Sequence, residues 1–386
     1  MTPADIQKNE SIRNQQFPVT RKRAFFGHAA VCPLPRRVGH AISEVSIQGT
    51  EDDQETGLLP GLIQDCRRLT AELLGAENNE VALIGPTSLG LSFVASGLEW
   101  KAGDSVVVYF DDYPSNVYPW TALRERGVEV RYIQVANLGE ITPEAVMQQV
   151  DKTTRLAAIA SCHFISGYRI DINAIGQALH QADVAFCLDA IQTLGAFPTP
   201  VTHVDFLAAD AHKWMLGPCG AGVFYVSRDW QDRLKPTTFG WNNVRCPDFI
   251  ATDELNLRSG AHRYEAGSYS LVGLAGLRES LQQIHDVGIA NIADDLRTKR
   301  SHLIPNLVKQ GYTVVNPDAS GPASGGITSF HKEGVEMQAV AEFLTQKGFV
   351  VSLRTDRQKK NYLRLSPHYY NTDTEIDKLL SLLSQF

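Results

Sequence analysis

A largely parallel β-sheet with helices on both faces is the fold this sequence predicts, and three observations carry the prediction. Apolar runs too continuous for a half-exposed strand recur from about residue 80 to 227. Amphipathic segments of helical spacing alternate with them. The chain of 386 residues, 43% of them apolar and 20% charged, is long enough to bury a core of that size.

Taken in order, "VALIG" (81–85) reads as a strand and "TSLGLSFVASGLEW" (87–100) as a helix. "SVVVYF" is the next strand, followed by a helix around 115–127. "VEVRYIQV" is a strand and "TPEAVMQQV" a helix with Pro143 in its first turn. "RLAAIAS", "DINAIGQALHQA" and "VAFCLDA" continue the strand–helix–strand alternation, and "FLAAD" and "GVFYVS" add two more strands. The stretch 228–270 is irregular and rich in Pro, Asn and Gly. Helices follow at 272–287 and near 290–309, then the loop "NPDASGPASGG", an edge strand "GITSF", a helix "VEMQAVAEFLTQKG" and a strand "FVVSLR". The chain closes with "NYLRLSP" and the helix "TDTEIDKLLSLLSQF". This organisation gives an N-terminal arm (1–24) that joins a smaller α+β unit, a large sheet domain (25–270), and the smaller unit itself (271–386).

The net charge of −7 and the absence of any basic run longer than "RKR" (21–23) speak against a nucleic-acid surface. No stretch of 18 apolar residues exists, so no membrane span is expected. The N-terminal segment lacks a signal-type apolar core, which predicts a cytoplasmic protein. The six cysteines (32, 66, 162, 187, 219 and 246) form no CxxC pair, which predicts reduced thiols and no zinc site.

Open parallel sheets bind ligands at the carboxyl ends of their strands. "CLDAIQTLGAF" puts Asp189 at such an end with Gln192 three residues on, and "LAADAHKWMLGPCGAG" puts Lys213 a few residues past the next strand. Alone, the lysine reads as surface decoration and the aspartate as a turn cap. Together, 24 residues apart with one strand between them, they read as a site. A lysine amine beside a carboxylate and an anion seat suits pyridoxal phosphate, which needs a Schiff-base lysine, an anion at the pyridine nitrogen and donors for its phosphate. Asp189 fits the anion and Gln192 a donor to the phenolic oxygen. "IGPTSLGLS" (84–92) offers a strand end running into a helix start, a ready anion seat that reads equally well as a plain N-cap.

The segments "LDAIQTLGAFP", "FLAADAHKWMLGPCGAGVFYVSRD" and "RYEAGSYSLVGLAGL" resemble the class-V aminotransferase and cysteine-desulfurase-like group of fold-type I pyridoxal-phosphate enzymes. The resemblance runs from "FFGHAAVCPLPRRV" to "YLRLSPHYYNTDTEIDKLL". It implies a seven-stranded-type, mostly parallel sheet in the large domain. It implies that Lys213 attaches the cofactor and moves the α-proton, that Asp189 pairs with the pyridinium and that Gln192 meets the phenolate. It places His212, Thr87 and Ser88 at the phosphate, and Tyr113 where a residue stacks on the ring. Ser268 matches the position that reaches the partner subunit's phosphate, which implies a homodimer with shared sites. For the carboxylate of an α-amino acid substrate, Arg354 and Arg364 are both candidates, with Arg354 ahead by its place in the motif; either also reads as an ion-pair partner. His28 falls in the segment that lines the substrate side, and reads equally as a packing residue.

Two positions depart from the family pattern. Asp210 stands where many members carry a phosphate-side serine, so its carboxylate is expected to turn away or to accept a backbone N–H. Phe164 to Ser166 replace a phenolate-side asparagine and offer only a hydroxyl.

Desulfurases take sulfur with a cysteine on a loop of the small domain. Neither "NPDASGPASGGITSF" nor "SLRTDRQKKNYLRL" holds one, so persulfide chemistry is not expected. The reading is an α-amino-acid enzyme of aminotransferase class V, with a cysteine, cystine or selenocysteine C–S(Se) lyase as the alternative. Transamination, β-elimination and racemisation begin with the same proton loss, and Lys213 and Asp189 do not separate them. A non-catalytic α/β binding protein is the remaining class, and the intact Asp–Gln–His–Lys set counts against it. No G-x-G-x-x-G or Walker loop supports a nucleotide site.

Overall fold

The chain enters through two capped helices, Pro3–Lys8 and Glu10–Gln16, and a short strand, β1 (Ala24–Phe25). A computed structural model describes residues 1–55 and 59–386. Seven strands then form the large sheet: β2 (Val81–Ile84), β3 (Ser105–Val108), β4 (Glu129–Tyr132), β5 (Thr154–Ala160), β6 (Ala185–Asp189), β7 (Phe206–Asp210) and β8 (Gly222–Val226). Their order is β2-β8-β7-β6-β5-β3-β4, and only β8 runs against its neighbours.

Side chains alternate between faces along a strand, and both faces of this sheet are apolar. Leu83, Val107, Ile159, Phe186, Leu188, Leu207 and Val223 enter one core; Ala82, Val106, Val108, Leu156, Cys187, Phe206 and Phe224 enter the other. Two buried faces account for the continuous apolar runs in the sequence. The helix Leu271–Val287, which the sequence reading gave to the small unit, puts Leu274, Leu277, Leu281 and Ile284 into the first of these cores.

The smaller sheet has four strands: β9 (Thr313–Val314), β10 (Thr328–His331), and, beyond the two-residue β11 (Phe349–Val350), β12 (Ser352–Thr355) and β13 (Asn361–Leu365), in the order β12-β13-β10-β9. The expected edge strand "GITSF" is therefore interior: Thr328 pairs with Leu365 on one side and Phe330 with Val314 on the other. The single strand expected over "FVVSLR" divides, because β11 pairs in parallel with β1 of the N-terminal arm whereas β12 pairs with β13. The helix expected around 115–127 is broken into Tyr118–Thr121 and flanking 3-10 turns, with Pro114 and Pro119 each opening its own short turn.

Register brings the functional ends together. Gly222 opens β8 between Ile84 at the end of β2 and Asp210 at the end of β7. Asp189 ends β6 opposite Ala208, and Ala160 ends β5 beside Asp189. One rim of the sheet thus collects Pro86–Ser88, Asp189 and Asp210–Lys213. Glycine at 222 permits this closeness, since a Cβ there would lie 2.3 Å from the Gly85 carbonyl oxygen. Among the described residues, no helix is long and apolar enough to cross a membrane.

Candidate active site

At that rim a cavity of about 290 Å³ opens between the two sheets, lined by Thr87, Ser88, Tyr113, Asp189, Gln192, His212, Lys213, Arg354 and Arg364, together with Ala29–Val31, Pro86, Ser115, Phe164 and Ile191. Nine residues singled out from the sequence meet there. His28 and Ser268 do not.

Lys213 is buried, and burial lowers its ammonium from 10.5 to about 8; Asp189 opposes this shift, while Arg364 and Arg354 reinforce it. The amine sits 5.2 Å from the centre of the Tyr113 ring. Asp189, 3% exposed, is raised by burial to about 6, tempered by the Ile191 N–H (3.0 Å) and by Lys213. At neutral pH the carboxyl is therefore mostly ionised.

Thr87 starts the helix Thr87–Gly97, which has no side-chain cap; the Leu89 N–H returns to the Pro86 carbonyl (2.9 Å), and Thr87 and Ser88 line the cavity. The Thr87 hydroxyl oxygen accepts the Asp210 N–H (2.9 Å), leaving its own proton to donate. Asp210 behaves as the sequence reading expected: one carboxylate oxygen accepts the Gly220 N–H (3.2 Å), and the other lies 3.1 Å from His212 Nδ1. That contact is off-line for a hydrogen bond. Gln192 is held by its neighbours. It donates to the Ala29 carbonyl (3.1 Å) and accepts from the Trp214 indole (2.8 Å), which leaves one amide N–H for the cavity.

The two arginines differ. Arg354 is half-buried and donates to the carbonyl of its neighbour Leu353. Arg364 is 1% exposed; its Nη1 donates to the Phe164 carbonyl (2.6 Å), while Nε and Nη2 are buried without a partner. Burial, with Arg354 nearby, pushes it down to about 9. A buried, under-used guanidinium is costly unless a carboxylate completes it. The donor inventory thus puts Arg364 ahead of Arg354, reversing the order drawn from motif position.

His28 is a correction. It is fully buried, with Nδ1 2.8 Å from the Ser366 carbonyl and Nε2 2.8 Å from the Tyr370 hydroxyl, and burial drives it well below its ordinary value. Both nitrogens are used, so His28 pins the N-terminal segment while Ala29–Val31 do the lining. Ser268 lies in a separate groove with Arg67, Asn242 and Tyr269. The hydroxyl of Ser166 is taken by His163 Nδ1 (3.0 Å), so Phe164 alone of that turn faces the cavity.

Sequence reasoning missed Asp112. Its carboxylate accepts the Tyr113 N–H (2.7 Å) and the Asn116 amide (2.9 Å), and burial, with Asp189 repelling it, raises it to about 7. The available signal was the acidic pair just before Tyr113, at a strand's carboxyl end.

These groups fit a phosphorylated aldehyde with a ring nitrogen: an amine near neutrality, an opposing carboxylate, an uncapped helix start and a flat wall at Tyr113. The model of the aminotransferase class-V family matches residues 28–379. The chain belongs to the class-V aminotransferase family. It is a pyridoxal-phosphate-dependent enzyme of the fold-type I architecture. Similar proteins include a probable cysteine desulfurase of Methanothermobacter thermautotrophicus, 28% identical over 98% of each chain. Among solved structures, an apo cysteine desulfurase from Thermococcus onnurineus NA1 superposes with a TM-score of 0.89 at 22% identity, covering 100% of this chain and 98% of that one. The cystine C–S lyase C-DES, in complex with its reaction product cysteine persulfide, superposes at 0.87 with 22% identity over 96% and 100%. Within this class-V chain, Lys213, Asp189, Gln192, Thr87, Ser88, His212 and Tyr113 line the large-sheet wall of the cavity, and Arg354 on β12 and Arg364 on β13 line the wall opposite.

Proposed function

We propose that the enzyme cleaves the C–S bond of a cysteine-type α-amino acid by β-elimination, without a protein persulfide. The observation that carries the α-amino-acid part of this reading is the unfilled Arg364 guanidinium, which lines one cavity with a lysine lowered by burial to about 8. Arg364 would hold the substrate carboxylate, which sets Cα beside Lys213. When bound, pyridoxal 5'-phosphate supplies a cationic ring that draws electron density from Cα. Asp189 would keep that ring nitrogen protonated; Thr87, Ser88 and His212 would hold the phosphate. Lys213 would take the Cα proton, and the β-sulfur would leave with the C–S electron pair. The likeness to desulfurases and a cystine lyase supports sulfur as the leaving atom.

The desulfurase route itself lacks its nucleophile. Among the described residues, no cysteine lines the cavity. Burial pushes the Cys32, Cys66 and Cys162 thiols up to about 12, so they remain protonated at neutral pH. The family description favours a second reading, transamination, in which Lys213 would hold the proton taken from Cα and deliver it again on the same face. A homodimer is part of the proposal, with Ser268 reaching the partner subunit's phosphate.

The test incubates the holoenzyme with L-cystine, L-cysteine, or L-alanine plus pyruvate. Release of pyruvate and ammonia without a keto acid, with sulfide from L-cysteine or a persulfide from L-cystine, supports β-elimination. Turnover that depends strictly on a keto acid establishes transamination instead.

A further inference from the structure

The β12–β13 hairpin, which carries Arg354 and Arg364, turns over Asp356–Lys360. Asp356 shapes the turn: its carboxylate accepts the Lys360 N–H (2.9 Å) and the Tyr362 hydroxyl (2.9 Å). Arg357 projects from this tip to the large domain, 246 residues away in sequence. Its Nε donates to the Asp111 carboxylate (2.5 Å), its Nη2 donates to the Phe110 carbonyl (2.6 Å), and its guanidinium lies 3.5 Å from the centre of the Phe110 ring. Nε, Nη2 and one face of the guanidinium plane are thereby engaged with two consecutive residues.

The receiving loop is itself fixed. His163 Nδ1 accepts the Ser166 N–H (3.1 Å), so the proton sits on Nε2, which donates to the Asp111 carbonyl (3.0 Å). Asp112 holds the N–H of the next residue, Tyr113. Tyr113 and Val31, the most exposed of the cavity-lining aromatic and aliphatic side chains, mark its opening. Arg357 therefore ties a hairpin to a rigid strut at the edge of that opening.

We infer that Arg357 is a positioning residue that latches the hairpin over the cavity and sets the aperture through which amines reach Lys213. Without the latch, the hairpin lifts at its tip and Arg354 withdraws with it, while the 109–113 strut stays in place. The latch is half-exposed, so salt weakens it. It bears on the proposed function only by guarding the same cavity, whatever reaction occurs there.

Two measurements on the holoenzyme test it. In hydrogen–deuterium exchange, Arg357→Ala should speed exchange across 355–361 by about five- to thirtyfold, the range expected for losing one ion pair and one cation–π contact. Exchange in 109–113 should not change. The rate of cofactor-carbonyl capture by phenylhydrazine relative to the smaller hydroxylamine should rise severalfold in the same variant. Arg357→Lys, which keeps the charge but not the fork, should restore part of each effect. Asp111→Asn combined with Arg357→Ala should add little to Arg357→Ala alone. Unchanged hairpin exchange would overturn the latch. Faster exchange with an unchanged phenylhydrazine-to-hydroxylamine ratio would overturn its control of the aperture. Neither outcome depends on which amino acid is turned over, so a failure of the C–S lyase reading remains distinguishable.

Discussion

Replacing Arg364 with methionine sets two effects against each other. The side chain is 1% exposed, spends one donor on the Phe164 carbonyl and leaves Nε and Nη2 unpaired. Burial pushes its proton affinity down to about 9, the signature of a cation that costs free energy to keep. Exchanging buried charge for a hydrophobe of similar length commonly stabilises a protein by about 1–4 kcal/mol. Losing a desolvated charge pair with a ligand commonly costs about 2–5 kcal/mol, or roughly thirtyfold to several thousandfold in affinity. Arg364→Met should therefore raise the urea midpoint of the substrate-free protein while lowering kcat/KM by that factor. Arg354→Met, at a half-buried arginine bonded to its own strand, should cost less than about tenfold. Equilibrium urea unfolding and initial-rate kinetics on the same preparations read both quantities. If Arg364→Met lost stability and kept its kcat/KM, the guanidinium would be structural and the assignment of the substrate carboxylate would fall.

Lys213 gives a pH prediction. Its amine is lowered to about 8, so cofactor capture by the cofactor-free protein should accelerate through pH 8 rather than near 10.5. The unfolded chain holds this proton up to about 10.5 while the folded one releases it near 8, so the group adds stability as pH rises through that window and contributes no slope below it. Stopped-flow absorbance and urea midpoints between pH 7 and 10 measure the two effects. Glu265 accepts both Arg67 Nη1 (2.7 Å) and Nη2 (2.6 Å) and the Leu83 N–H, all buried, so Glu265→Ala should lose about 3–5 kcal/mol in a urea melt. Lys359 holds φ +67° at the hairpin tip, so Lys359→Gly should be neutral or gain up to about 1 kcal/mol in the same assay, strain relief being partly offset by glycine's greater freedom when unfolded.

The large-sheet wall of the cavity was legible in the sequence because it depends on local order. Asp189, Gln192 and Lys213 follow strand ends, and parallel packing brings strand ends to one rim whatever the distant chain does. The opposite wall was less legible. Which arginine is buried depends on the β12–β13 register, which sets Ser352 beside Arg364 and Arg354 beside Tyr362. His28 is locked by Ser366 and Tyr370, more than three hundred residues away, and no local pattern announces that partnership. Arg357 was invisible for the same reason, since its partners lie on the loop after β3, about two hundred and fifty residues earlier. The strand reading of "FVVSLR" failed because one apolar run serves two sheets, a division that pairing decides and propensity does not.

The most direct test reduces the purified protein with borohydride, digests it and locates the retained pyridoxyl group by mass spectrometry. The group should sit on the peptide that contains Lys213, and the Lys213→Ala protein should carry none. A label on any other lysine, or a fully labelled Lys213→Ala protein, would contradict the site described here.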